Sequence, residues 1–217
     1  MKEIACLYTV YSVIEPFTKQ LKQALDEGTV IHTLYDDFLA TDPAKKGEFT
    51  KTNLERLRLD LKACELTGAD IIVVTCSTIT PGVRSLKGEF SVPIIAIDDA
   101  MMRKAVAMGS RIGLICTAES TKLPSTGAVT AAADAAGKKI DLKVLSNEQA
   151  IQQLKYGDPA IHDKLVLDMA MEMQDRDVII LAQASTAYMA DAVQEAVGVP
   201  VVSSPQLCIE EILQRLN

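Results

Sequence analysis

The chain has 217 residues, 48% hydrophobic and 24% charged, and 22 basic against 29 acidic side chains leave a net charge of −7. That is enough apolar material to build a packed core, in one large domain or two small ones, and it excludes extended disorder. The acidic balance argues against nucleic acid or an anionic membrane as partner, since both require basic patches.

The apolar stretch that opens Met1-Lys2-Glu3-Ile4-Ala5 comes too early and is too short for a signal peptide. No apolar run approaches the roughly 20 residues of a membrane span, so a cytoplasmic location is expected. In chain order, strands are predicted over residues 3–9, 30–35, 70–75, 93–97, 111–116, 139–145, 177–182 and 200–203. Each is an apolar run bounded by turn residues, as buried parallel strands are. Helical periodicity fills the gaps, over 15–27, 53–67, 80–88, 98–108, 121–136, 158–174, 186–197 and 205–216. The polar stretch 41–49 reads as a solvated loop or a lid. Alternation of this kind predicts an α/β fold with parallel sheets and helices on both faces.

A repeat cuts through the pattern. Residues 70–107 align without a gap onto 177–214, and in both copies a strand, a small polar loop and a helix lead to Val-Pro, at Val92-Pro93 and Val199-Pro200. Separately, residues 4–9 resemble 112–117 at nearly the same offset. Two agreeing offsets predict two pseudo-symmetric halves. The boundaries are 1–97 with a returning C-terminal helix over 205–217, and 98–204. Ligands of open α/β sheets bind outside the carboxyl ends of the strands, and the repeat predicts those ends to face one another across a cleft.

The strand-end loop with most chemistry in it is Thr75-Cys76-Ser77-Thr78, where a thiol stands between a buried strand and a helix start. Unpaired N–H groups at such a position favour thiolate. The counterpart of Cys76, 107 residues on (183 − 76), is Gln183, in Ala182-Gln183-Ala184-Ser185-Thr186. Hydroxyls at Thr9, Ser77, Thr78, Thr117, Thr121, Ser185 and Thr186 make these loops candidates for holding a carboxylate, in partnership with helix-start N–H groups. The plain alternative for each is a helix cap.

The Cys76-Ser77-Thr78 loop, its counterpart in a second half and the Thr-rich segment 117–121 together resemble the aspartate/glutamate/hydantoin racemase superfamily, over nearly the whole chain. The resemblance implies two α/β subdomains, no cofactor and a small carboxylate or amino-acid-like substrate. It further implies two cysteines that deprotonate and reprotonate the substrate α-carbon from opposite sides. Single-cysteine decarboxylases and two-cysteine isomerases are among the relatives. The second cysteine position is Gln183 here; an amide has no useful acid–base chemistry near neutral pH, but as a catalytic-site residue together with Cys76 it is expected to offer hydrogen bonds to a carbonyl or enolate oxygen, the plain alternative being an inert replacement. Three readings follow: Cys76 acts alone; another group such as Tyr188, Glu119, Cys116 or a water returns the proton; or the protein binds a small carboxylate without turning it over.

Other residues carry weaker signals. The five cysteines include no CxxC pair and are odd in number, which argues against a disulfide framework or a zinc site. Cys116, one residue before Thr117, is expected to point into the core. His32 reads as a strand histidine with a partner and His162 as a helix-surface residue. Of the acidic pairs Asp36-Asp37 and Asp98-Asp99, the second reads as a cap for the next helix, and no metal site is expected. There is no GxGxxG or P-loop, so no nucleotide cofactor is expected. A homodimer is the base-rate expectation for a chain of this kind.

Overall fold

A computed structural model describes residues 1–216. They form two compact units, one of Met1–Ile97 with the chain from Pro205 on, the other of Asp98–Ser204.

The first unit holds a four-stranded parallel sheet ordered β2-β1-β3-β4, from β1 (Glu3–Tyr8), β2 (Val30–Tyr35), β3 (Ile71–Val74) and β4 (Ile94–Ala96). Its helices are α1 (Tyr11–Ala24), α2 (Phe38–Lys46), α3 (Lys51–Glu65) and α4 (Thr80–Leu86). The second unit repeats the order as β6-β5-β7-β8, from β5 (Arg111–Cys116), β6 (Asp141–Ser146), β7 (Val178–Leu181) and β8 (Val201–Ser203). Its helices are α5 (Asp99–Met108), α6 (Glu119–Ala135), α7 (Glu148–Tyr156), α8 (Pro159–Met171) and α9 (Ala190–Val197). The last helix, α10, runs from Ser204 to Leu216. Central strands are buried at every position, Ile71–Val74 and Val178–Leu181 alike, because helices cover both faces of a parallel sheet.

Each sheet has its own core. In the first, Ala5, Leu7, Ile72 and Val74 pack with Leu57 and Leu61 of α3. In the second, Ile115, Ile179 and Leu181 pack with Val166 and Ala170 of α8 and Val193 of α9. The amino ends of the central strands are fastened alike. An Asp70 Oδ2 accepts the Glu3 N–H at 2.8 Å; Asp177 Oδ2 accepts those of Ser110 and Arg111 at 3.0 and 2.9 Å. Asp177 also binds the Arg111 guanidinium, and these bonds, the backbone one first, hold its carboxyl down at about 2.

The structure corrects three expectations. The stretch 41–49 is no loop: α2 occupies most of it, in spite of Pro43 in its interior. Burial of Leu39 and Pro43 offsets the lost hydrogen bond, Asp42 pairs with Lys46 at 3.0 Å, and Gly47 closes the helix at φ 74, a conformation that suits glycine. Helix α7 fills a stretch to which the sequence assigned no element, with Asn147 Oδ1 accepting the Gln149 N–H at 3.0 Å as its cap. Helix α1 begins at Tyr11, four residues before its predicted start, because Pro16 is accommodated inside the helix and does not mark its boundary.

Candidate functional site

The two counterpart loops share one backbone design. Cys76 follows β3 at φ −135°, ψ 116°, and Gln183 follows β7 at φ −103°, ψ 138°, both extended. A 3-10 turn follows each, over Ser77–Ile79 and Ala184–Met189, before α4 and α9. The Ile79 N–H donates to Cys76 O at 3.4 Å, and the Thr186 N–H donates to Gln183 O at 3.1 Å. Neither residue caps its turn with its side chain. The helices predicted to begin at 80 and 186 are thus preceded by, or begin as, tighter 3-10 turns.

Strand pairing decides what stands beside each tip. Leu7 lies opposite Val74 and Ile115 opposite Leu181. Two residues further along each chain come Thr9 and Cys76 in the first unit and Thr117 and Gln183 in the second, where the Thr117 N–H meets Gln183 Oε1. Both threonines are buried, and both Oγ1 atoms are without a hydrogen-bond partner among the described residues. A buried hydroxyl without a partner costs free energy, and here the same orphan occurs at the same place in both halves.

The two side chains at the tips behave differently. Cys76 is a free, half-buried thiol that leans on the core of the first unit; Cys6, Cys64, Cys116 and Cys208 are buried. Burial pushes the thiols of Cys6, Cys64 and Cys116 up to about 12. Gln183 has both ends of its amide engaged. Its Oε1 accepts the Thr117 N–H at 3.1 Å, and its Nε2 donates to Thr121 Oγ1 at 2.8 Å. Thr121 in turn donates to Ala118 O at 2.7 Å, and the Thr186 hydroxyl donates to Gln183 O at 2.7 Å. Gln183 therefore braces its own loop against that of β5. Ser77 is buried, while Thr78 and Ser185 are half-buried.

The helices behind the loops differ as well. Val10 precedes α1 and provides no side-chain cap; the Val13 N–H turns back to Val10 O at 3.1 Å, and the Tyr11 and Ser12 N–H groups at the positive end of the helix dipole follow Thr9 in the chain. At α6 the first N–H, that of Glu119, is taken by Glu148 Oε2 at 2.7 Å.

Three groups weighed as a second proton source sit away from neutrality. Cys116 is buried, as expected. Tyr188 is raised above its ordinary value, by burial first and then by Asp163, to which its hydroxyl donates. Glu119 is lowered by hydrogen bonds from Ser146 and Lys122.

His162 corrects another expectation. It is fully buried, because it begins the inward stripe His162, Val166, Met169, Ala170 of α8. Its Nδ1 meets Asp163 Oδ1 at 2.8 Å and the Tyr188 hydroxyl at 3.1 Å. The sequence carried that stripe, but a lone histidine on it gave no sign of its partners. His32 meets Glu3 at 2.9 Å. Asp98 stands at the cap position of α5 without a side-chain cap bond. Among the described residues no group of three or more His, Cys, Asp or Glu side chains could hold a metal ion, and no helix is long and apolar enough to cross a membrane.

Comparison with known proteins agrees with this geometry. The profile of the Asp/Glu/Hydantoin racemase family matches residues 10–212. The chain is similar in fold to an aspartate racemase of Picrophilus torridus, at TM-score 0.73 and 14% identity over 99% of this chain and 94% of that one. It is similar to an allantoin racemase of Klebsiella pneumoniae at TM-score 0.69 and 16% identity, over 100% and 88% of the two chains. An uncharacterized protein of Schizosaccharomyces pombe is 26% identical over 156 residues, which is 67% of this chain and 63% of that protein, so the match spans less than two thirds of the relative's length.

Proposed function

Because the chain belongs to the Asp/Glu/hydantoin racemase family, we propose that it is a cofactor-independent enzyme acting at the carbon next to a carboxylate of a small, amino-acid-like substrate, with Cys76 as the essential group. The observation that carries this reading is that Cys76 alone of the five cysteines is not sealed in a core, and that it stands at the carboxyl end of a central strand.

Thr9, Ser77, Thr78 and the uncapped start of α1 are assigned to the substrate carboxylate, since N–H groups and hydroxyls together bind an anion without arginine. Thr117, Thr121, Ser185 and Thr186 are assigned to substrate binding through the counterpart loop, with Gln183 holding that loop in shape. In proton abstraction, the Cys76 thiolate takes the α-proton and becomes a thiol, and the electron pair spreads onto the carboxylate as an enediolate.

Racemisation by a pair of thiols has no second thiol to use. The engaged amide of Gln183 favours a second reading within the same family, a one-cysteine decarboxylation or isomerisation. In a decarboxylation the C–C bond to one carboxylate breaks, carbon dioxide leaves with that carbon, and the remaining enediolate takes the Cys76 S–H proton. One thiol suffices for this.

The test is incubation with aspartate, glutamate, hydantoins and substituted malonates in deuterated water, with native protein and Cys76→Ala side by side. Cysteine-dependent α-deuteration supports proton abstraction, and cysteine-dependent release of carbon dioxide supports the decarboxylase. Thermal stabilisation by a ligand without exchange or release would make the protein a carboxylate binder. Turnover that survives Cys76→Ala would overturn the assignment.

A further inference from the structure

Away from Cys76, the carboxyl corner of the first unit holds a second group of titratable side chains, where β2 turns into α2 and packs on α3. Asp36 follows β2 and is buried. Its backbone N–H donates to Tyr8 O at 2.9 Å, next to Thr9. Its carboxylate is fully committed: Oδ1 accepts the Phe38 N–H at 3.1 Å, and Oδ2 accepts from Arg56 Nε. The Arg56 guanidinium also lies 5.1 Å from the Phe38 ring centre.

Asp60 lies one turn along α3 from Arg56, the residue that holds Asp36, so the two carboxyls share one face of this corner and act on one another. Its Oδ2 is buried and meets no hydrogen-bond donor among the described residues. An ionised carboxylate needs donors on its buried oxygens, whereas a carboxylic acid supplies one itself. The other groups about the pair are Asp37 and Tyr35 on the strand side and Cys64 on α3. Among the described residues the cation that acts on Asp60 is Arg56, and Asp36 already holds it.

We propose that Asp36 and Asp60 hold one proton between them, as an acid–carboxylate pair that latches α3 to the β2–α2 corner, and that the latch loosens when this proton is lost. The two carboxyls divide as such a pair should. Burial works to raise Asp36, but hydrogen bonds from Arg56 and Asp60 outweigh it and hold it low. Burial first, then the hydrogen bond to Asp36 and its charge, push Asp60 up to about 7. A carboxyl raised on folding lends stability that is complete below its unfolded value, near 4, and that is lost as the pH rises to its folded value. The stability lent by the latch therefore falls between about pH 4 and 7 and is absent above.

The experiment follows melting temperature from pH 5 to 9 in the native protein and in Asp60→Asn, whose amide donates to Asp36 without ionising. A carboxyl-carbon NMR titration of the native protein runs alongside. The expected result is a native melting temperature lower by a few degrees at pH 8 than at pH 5.5, a flatter profile in Asp60→Asn, and an Asp60 resonance titrating near 7. Equal profiles in the two proteins, or an Asp60 resonance titrating in the ordinary aspartate range, would overturn the proposal. The carboxyl titration decides the question even if the variant folds poorly.

Discussion

The loops after β3 and β7 have nearly the same backbone and opposite uses for it. Each ends a buried strand, pauses at one extended residue and enters a 3-10 turn, with a buried threonine hydroxyl next door. In the second unit, the residue at the tip is an amide with both ends bonded, and the helix start behind it is closed by Glu148. In the first, the tip is a free thiol and α1 starts uncapped. Duplication has kept the frame and divided the work. One loop is braced by its own side chains, and the other leaves its donors and its thiol to something else.

The largest expected effect breaks this comparison at its reactive side. Cys76→Ala should lower turnover of any substrate found by about 10²–10⁴-fold, the usual worth of a positioned acid or base. Its melting temperature should change little, since the thiol is only half-buried. The converse exchange, Gln183→Cys, places a second thiol at the counterpart position, and racemisation of an amino acid by this variant alone would show that the frame supports the two-thiol chemistry its family resemblance implies. Chiral chromatography after incubation reads this directly.

Next in size is the contrast at the amino ends of the sheets. A Cβ at Gly109 would lie 2.3 Å from Asp177 Cβ, an atom fixed to its backbone, so Gly109→Ala must displace a strand. The φ of Gly109, −178°, is ordinary extended backbone, so the cost is purely one of space. A loss of about 1–3 kcal/mol is expected by denaturant unfolding. By the offset of the first strands of the two units, 108 (111 − 3), Lys2 is the counterpart of Ser110 in the first unit, and it is exposed. Lys2→Ala should stay within about 0.5 kcal/mol.

These contrasts show which parts were legible in the sequence and which were not. The strands were, because β-branched runs such as Ile71-Ile72-Val73-Val74 and Val178-Ile179-Ile180-Leu181 fit only a fully covered sheet. The counterpart relation of Cys76 and Gln183 was, because repeats preserve spacing. Helix α2 was hidden by Thr-Asp-Pro and Gly, residues that signal turns locally and were overridden by burial of Leu39 and Pro43 and by the bonds of Asp42 to Lys46 and Asn53. The bracing role of Gln183, the meeting of His162 with Tyr188 and that of Asp60 with Asp36 (60 − 36) join residues 24 or more positions apart, and no local pattern encodes such meetings.

A smaller effect belongs to the brace. Gln183→Ala removes both amide bonds and leaves the Thr117 N–H without its acceptor. A cost of about 1–3 kcal/mol is expected, since an unsatisfied buried donor loses more than the bond itself was worth. Amide hydrogen exchange should rise around 117–121. Unchanged protection there would mean that the second loop does not need its brace, and the two loops would differ in chemistry alone.

The smallest expected effect is on stability, and it has the opposite sign. Thr9→Val and Thr117→Val replace a buried hydroxyl that has no partner with a methyl group of similar size. Removing such an orphan is nearly neutral or stabilising, up to about 1 kcal/mol. If the hydroxyls are kept for a ligand's carboxylate, the variants should gain or hold melting temperature and lose ligand-induced stabilisation, the usual exchange of stability for function. Thr9→Val should lose more of it, since the α1 start beside it has no other anion to serve, whereas Glu148 already occupies the α6 start. A fall in stability in both variants would mean that the hydroxyls are satisfied within the fold, and the likeness of the two loops would then be structural only.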